Sequence, residues 1–217
     1  MKGVIFDLDG VLVDSMPSHV EAWKEVFARI AGLEVSEREL YLLEGMRGKE
    51  LIRKILEDKG VSDYSLIDKV SDEKDKLFQQ MRRVNPFQGT GEIIDRIRCA
   101  KAVVSGSGKQ DVVSILDATF GSDKFDVIVT ADDVDKGKPD PTAFLKAAKQ
   151  MNIEKKSAVV VENAPLGARA ANNADILCYV ALNNTPLSKS DFTSIVAIDR
   201  IFDTTGSLKT VLSEWCG

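Results

Sequence analysis

Asp7 and Asp9 stand one residue apart in Phe6-Asp7-Leu8-Asp9-Gly10, directly after a short apolar run. At a strand end, that spacing lets one carboxylate attack while the other turns aside to accept a metal ion or a proton. Phosphoryl transfer to a carboxylate needs a nucleophile, a hard cation to neutralise phosphate oxygens, and a proton donor for the leaving alcohol. Oxygen ligands of this kind suit Mg²⁺. Taken alone, the pair is equally compatible with an Asp-containing turn leading into a helix.

Further along the chain, other residues fit the same chemistry. Gly10 permits close backbone approach, so the amides after Asp9 could hold phosphate oxygens, and Ser105 with the Gly106 amide could do the same. Lys138, in Gly137-Lys138-Pro139-Asp140-Pro141, has surroundings stiffened by two prolines, which suits a fixed positive charge facing phosphate. Individually these residues read as an ordinary turn serine and a surface lysine. The stretch Gly106-Ser107-Gly108-Lys109 is not a Walker A loop, because Val103 stands where its first glycine belongs and Gln110 where Ser or Thr should follow the lysine. Asp111 breaks the dinucleotide fingerprint, and no nucleophile elbow surrounds Ser105 or Ser107. His19 is the single histidine, which leaves a serine-histidine hydrolase little to work with.

These residues need a scaffold. The chain has 217 residues, 44% of them hydrophobic, enough for one domain with a smaller insertion. Apolar runs at residues 3–6, 102–105, 127–130, 158–161 and 176–182 predict buried strands, with a sixth near 195–198. Helical patterns at 109–119, 141–151 and 165–174 alternate with the later runs, and a closing helix falls near 207–215. Such alternation requires a parallel sheet with crossover helices, and ligands then bind outside the carboxyl ends of the strands. Asp7, Ser105, Lys138, Glu162 and Asn163 all fall at such ends or in the loops beyond them. From Pro17 to about Arg83 the pattern is almost entirely helical: Trp23, Val26, Phe27 and Ile30 share one face, as do Leu51, Ile52, Ile55 and Leu56. This predicts an all-helical insert, residues 15–84, in an α/β core of residues 1–14 and 85–217.

The formal charge of -5 comes from signs mixed along the chain, which disfavours a nucleic-acid partner. The apolar run at the N-terminus is too short for a signal or a membrane span, so the expectation is a cytoplasmic protein, a monomer or weak homodimer, with no membrane partner. Cys99, Cys178 and Cys216 are odd in number and widely spaced, which predicts structural thiols rather than disulfides or a zinc site. Asn183-Asn184-Thr185 fits a glycosylation pattern but has no secretory context.

Four stretches together resemble the haloacid dehalogenase-like superfamily and its β-phosphoglucomutase-like branch. They are Phe6 to Ser15, Val103 to Ser107, Gly137 to Pro141, and Glu162 to Gly167, in the family's order and with the insert between the first two. The resemblance implies a Rossmann-like, doubly wound parallel sheet with an inserted all-helical cap domain. It implies Asp7 as the nucleophile forming an aspartyl-phosphate and Asp9 as general acid and base. Ser105 and Lys138 would bind the transferring phosphoryl group. Asp7, the Asp9 carbonyl, Glu162 and Asn163 would hold Mg²⁺. Asp9 separates phosphate-ester chemistry from the dehalogenase and phosphonatase branches, which lack a carboxylate there.

One position departs from the family. Members often carry Glu-Asp where this chain has Glu162-Asn163, so a neutral amide replaces an anionic ligand, which leaves Asn163 a weaker ligand or draws Glu162 toward the metal. His19, Arg47 and Lys74 are candidate cap contacts to substrate. His19 and Lys74 fall where the mutase branch places such residues, whereas Arg47 does not align cleanly with the mutase arginine. The expected substrate is a small phosphorylated metabolite, a sugar phosphate or a phosphoglycolate type, cleaved by a phosphatase. A sugar phosphomutase is the alternative, and a catalytically silent phosphometabolite-binding protein is a third.

Overall fold

A computed structural model describes residues 1–217. The apolar runs form six parallel strands: β1 (Gly3–Asp7), β2 (Ala100–Val104), β3 (Val127–Val129), β4 (Ala158–Glu162), β5 (Leu177–Ala181) and β6 (Ile201–Phe202). Their order is β3-β2-β1-β4-β5-β6. A parallel sheet is covered on both faces, which is why β1 and β4 are buried at every residue.

After β1 the chain enters α1 (Met16–Val26), α2 (Glu37–Leu42), α3 (Gly48–Asp58) and α4 (Leu66–Met81) before it returns to the sheet. Pro17 sits in the first turn of α1, where its missing N–H costs nothing. In α3 the spacing of Leu51, Ile52, Ile55 and Leu56 buries one face. The segment leaves and re-enters at one place: the Asp14 amide donates to the Asn85 carbonyl at 2.8 Å, and Val13 bridges Pro86 in antiparallel fashion.

The remaining helices are α5 (Thr90–Arg96), α6 (Lys109–Thr119), α7 (Thr142–Gln150), α8 (Pro165–Asn173) and α9 (Lys209–Cys216). Alternating strand residues feed two cores. Val4, Phe6, Val103 and Val161 pack with α5, α6 and α9, whereas Ile5, Val104 and Val160 pack with α7 and α8. The second core continues into the helical segment through Val20, Trp23, Ile52 and Ile55. Each fully buried aliphatic or Phe side chain contributes about 1.5–3 kcal/mol of transfer free energy. This is a Rossmann-like, doubly wound sheet. Its order reverses at β1, with β2 on one side and β4 on the other, so the ligand crevice belongs at the carboxyl end of β1.

Two expectations need correction. The apolar run at 195–198 is not a strand: the amides of Ile195 and Val196 both turn back to the Phe192 carbonyl at 2.8 Å, and Ile198 is exposed. Phe192 and Val196 are buried at helical spacing, and a four-residue run cannot reveal which period it follows. The sixth strand is Ile201–Phe202 instead. Second, Cys99 and Cys216 form a disulfide, their Cα atoms 5.2 Å apart, while Cys178 is a free buried thiol. The pair is 117 residues apart in sequence and meets because α9 packs beside α5 at the start of β2. No helix is long and apolar enough to cross a membrane.

Candidate active site

Asp7 is the last residue of β1, buried at the switch point. The Lys138 ammonium donates to its Oδ1 and, at 2.6 Å, to Glu162 Oε1 at the end of β4. Burial alone would lower the Lys138 pKa, but the carboxylates of Asp7 and Glu162 outweigh it and hold the lysine protonated. For Asp7 the balance is opposite. Burial, aided by the nearby Glu162 and Asp9, pushes its carboxyl well above the ordinary range against the pull of Lys138. Glu162 is fully engaged, since its Oε2 accepts from the amides of Asn163 at 2.9 Å and Ala164 at 3.2 Å.

Asp9 is tied down by a ring of donors. Ser15 donates to Oδ1 at 2.5 Å, and Ser105 and Ser107 donate to Oδ2 at 3.1 and 3.3 Å. His19 Nε2 lies 3.4 Å from Oδ1 without hydrogen-bond geometry, so that contact is electrostatic. Burial alone would raise the Asp9 pKa, but His19, Ser15 and Ser105 together hold it far below the usual carboxylate range. His19 stacks on Phe78 with ring centroids 3.8 Å apart. Burial and then the Lys74 charge keep it below 6.5, despite Asp9.

Gly10 contributes room rather than a donor. Its amide is spent on the Val13 carbonyl at 2.9 Å, which corrects the expectation of a phosphate-holding amide there. A side chain on Gly10 would put Cβ 2.0 Å from Asn163 Nδ2, and its φ of +77° disfavours one in any case. Asn163 in turn donates through Nδ2 to both oxygens of Glu44, each at 2.9 Å.

Glu44 belongs to the turn after α2, where the helical segment presses on the sheet. The Lys138 amide donates to the Gly45 carbonyl at 3.1 Å, and the Gly137 amide donates to Glu50. A Cβ on Gly106 would come within 3.2 Å of the Gly45 and Met46 carbonyls. The two parts enclose a cavity of about 330 Å³ reached by Asp7, Asp9, His19, Gly106, Arg47 and Lys74. Lys74 lies over the rings of Trp23 and Phe78, 5.1 and 4.9 Å from their centroids. Arg47 is less free, because its Nη1 donates to the Asp135 carbonyl at 2.8 Å.

Residues 4–181 match the family model of haloacid dehalogenase-like hydrolases. The chain belongs to that family. It is 33% identical to validoxylamine A 7'-phosphate phosphatase of Streptomyces hygroscopicus subsp. limoneus over 189 residues, covering 85% of this chain and 86% of that one. It is 30% identical to hexitol phosphatase A of Escherichia coli, covering 85% and 84%. A solved structure from Bacteroides vulgatus, assigned as a β-phosphoglucomutase, superposes with a TM-score of 0.88 at 30% identity, over 100% of this chain and 90% of the other.

Within this haloacid dehalogenase-like hydrolase, the donor set can be tested against a hard divalent cation. No three His, Cys, Asp or Glu side chains converge at metal-ligand spacing. A cation would therefore draw on Asp7 together with amide and carbonyl oxygens. Two observations favour that fit. The Asn163 Oδ1 atom is buried without a hydrogen-bond partner. Four buried acids, Asp7, Asp9, Glu44 and Glu162, outnumber the two buried lysines, Lys138 and Lys74, and His19 is held toward neutrality. The donors present thus fit a magnesium-like ion.

Glu44 is the residue that the sequence alone did not single out. Its helical surroundings, Leu42-Leu43-Glu44, make it look like an exposed acid, and its partner lies 119 residues later. The one available signal was indirect, namely an amide at position 163 where an acid is usual.

Proposed function

We propose that this chain is a Mg²⁺-dependent phosphatase of small phosphorylated metabolites, acting through an aspartyl-phosphate on Asp7. The observation that carries it is Asp7 itself: a buried carboxylate at the switch point of the sheet, paired with a protonated lysine and opening onto the cavity beside a second carboxylate. In the first step an Asp7 oxygen attacks phosphorus, the P–O bond to the substrate alcohol breaks, and a proton from Asp9 goes to the departing oxygen. In the second, Asp9 takes a proton from water as that water attacks phosphorus, which frees Asp7 and releases phosphate.

Asp9 is ionised while Ser15, Ser105, Ser107 and His19 surround it, which suits the second step. Donating in the first step requires it to leave those donors, and the hydroxyl of Ser105 then becomes available to the phosphoryl group. Lys138 neutralises the phosphoryl oxygens nearest Asp7. Asp7, the Asp9 carbonyl and Asn163 Oδ1 would hold Mg²⁺, which supplies charge neutralisation for the remaining oxygens and keeps Asp7 ionised against its burial.

The cavity walls suit a polyhydroxylated monoester, since Glu50, Asp75, Asp111 and Asp132 line them along with Lys74 and His19. The named activities of validoxylamine A 7'-phosphate phosphatase and hexitol phosphatase A agree with a sugar or polyol phosphate. A mutase must also grip the second phosphate of a bisphosphate. Here Arg47 is engaged by a main-chain carbonyl and Lys74 by two rings, so no arginine fork stands free for it. We therefore favour hydrolysis over transfer. The test is phosphate release from a panel of sugar phosphates and phosphoglycolate at several Mg²⁺ concentrations, beside β-glucose 1-phosphate with catalytic bisphosphate. Glucose 6-phosphate formed without free phosphate would establish the mutase instead.

A further inference from the structure

Glu44 is a buried carboxylate with no cationic partner. It is 8% exposed, both of its oxygens accept from Asn163 Nδ2, and the nearby ammonium of Lys138 is taken by Asp7 and Glu162. The arrangement orients the Asn163 amide. Reversing it would set its oxygen against the Glu44 carboxylate, so nitrogen faces the cap and oxygen faces away. That oxygen is buried and has no partner. Gly10 lets the three residues meet, because a Cβ there would lie 2.0 Å from Asn163 Nδ2 and 3.1 Å from Glu44 Oε1. The turn that carries Glu44 is seated on the core by the Gly45 carbonyl and the Lys138 amide.

We propose that Glu44, carried by the helical cap, holds the Asn163 amide with its oxygen toward the active-site cation. A carboxylate that accepts from a metal-binding group fixes its orientation and makes it a better donor, and losing such a partner typically weakens metal binding roughly ten- to hundredfold. Because Glu44 reaches Asn163 only when the cap sits on the core, cation binding and cap closure are linked, and each favours the other by the same factor. The inference rests on the cation-dependent function proposed above and adds a positioning residue to it.

The test is calorimetric titration of the substrate-free full chain with Mg²⁺ alone, for wild type, Glu44→Gln and the double variant Glu44→Gln/Asn163→Asp. The single variant should bind roughly ten- to hundredfold more weakly, and the double variant, with an acid at position 163 that needs no partner to orient it, should regain most of that loss. Scattering adds a readout independent of turnover: Mg²⁺ should contract the wild-type chain and leave Glu44→Gln unchanged. Equal Mg²⁺ affinity in wild type and Glu44→Gln overturns the inference and leaves the proposed function standing. So does a double variant as weak as the single one, which would make Glu44 a packing contact only. A wild type that binds no Mg²⁺ overturns both. If Glu44→Gln does not fold, Asn163→Asp decides: with two acids facing each other, Mg²⁺ should raise its melting temperature more than that of wild type, and an equal rise counts against the inference.

Discussion

Like Glu162, Asp7 is buried at a strand end in contact with Lys138, but of the two only Asp7 lines the cavity. Asp7→Asn should abolish phosphate release from every substrate of the panel while circular dichroism still reports a folded chain. Release that persisted would exclude Asp7 as the nucleophile. Asp9→Asn removes a proton carrier rather than the attacking atom, and should lower kcat by roughly 10²–10⁴. Gly10 makes a third prediction, about stability. With φ at +77° and Asn163 Nδ2 where a methyl would go, Gly10→Ala should cost on the order of 1–3 kcal/mol, read as a lower denaturation midpoint. The motif stretches made Asp7, Asp9, Ser105 and Lys138 legible in the sequence as a candidate set, because each lies at a strand end or in the loop beyond one. Glu44 was not legible: its burial comes from packing between two segments, and no local pattern encodes that.

At the scale of elements, the loop after β3 shows how a short stretch positions a distant charge. It begins with a one-turn helix at Ala131–Asp133, runs past Asp135, which holds Arg47, and ends on Lys138. Asp133 Oδ2 accepts from both the amide and the hydroxyl of Thr130 at 2.9 Å, and Lys146 donates to its carbonyl at 2.7 Å. Burial alone would raise the Asp133 pKa, but Thr130 and Lys146 outweigh it and lower it below 3.8. A carboxylate lowered on folding stabilises the fold above its unfolded pKa, and that contribution is lost as pH falls through the folded value. Asp133→Asn should therefore cost at most about 1 kcal/mol at neutral pH, because solvent screens the charge and the amide oxygen can still accept from Thr130. The difference from wild type should fade as pH falls below 3.8, as urea melts at a series of pH values will show. The strands were legible because buried parallel strands are continuous apolar runs bounded by turn residues. The exception at 195–198 failed on length, since so short a run fits a strand and a turn equally well.

At the scale of the whole molecule, the cap meets the core across a seam where Gly45, Gly106 and Gly137 leave no space for side chains. A methyl on Gly137 would lie 2.6 Å from the Arg47 amide nitrogen and 2.8 Å from Glu50 Oε2. Gly137→Ala should prop the cap open. We expect kcat/KM to fall by as much as a hundredfold, the radius of gyration to rise, and the melting temperature to fall, because the second apolar core runs from the sheet into the cap. The helices of the insert could be read from periodicity, whereas the seam could not, because glycines far apart in sequence carry no sign of facing one another. Much of that seam is main chain: Lys138 N to the Gly45 carbonyl, Arg47 to the Asp135 carbonyl, Gly137 N to Glu50, and Arg38 to the Pro186 carbonyl. Each of these contacts has a main-chain atom on one side, which persists through substitution, although the Arg47 and Glu50 side chains also line the cavity. Lineages descended from such a chain can therefore exchange cavity side chains other than Arg47 and Glu50 one at a time, and shift from one phosphorylated metabolite to another, while inheriting the docking of cap on core.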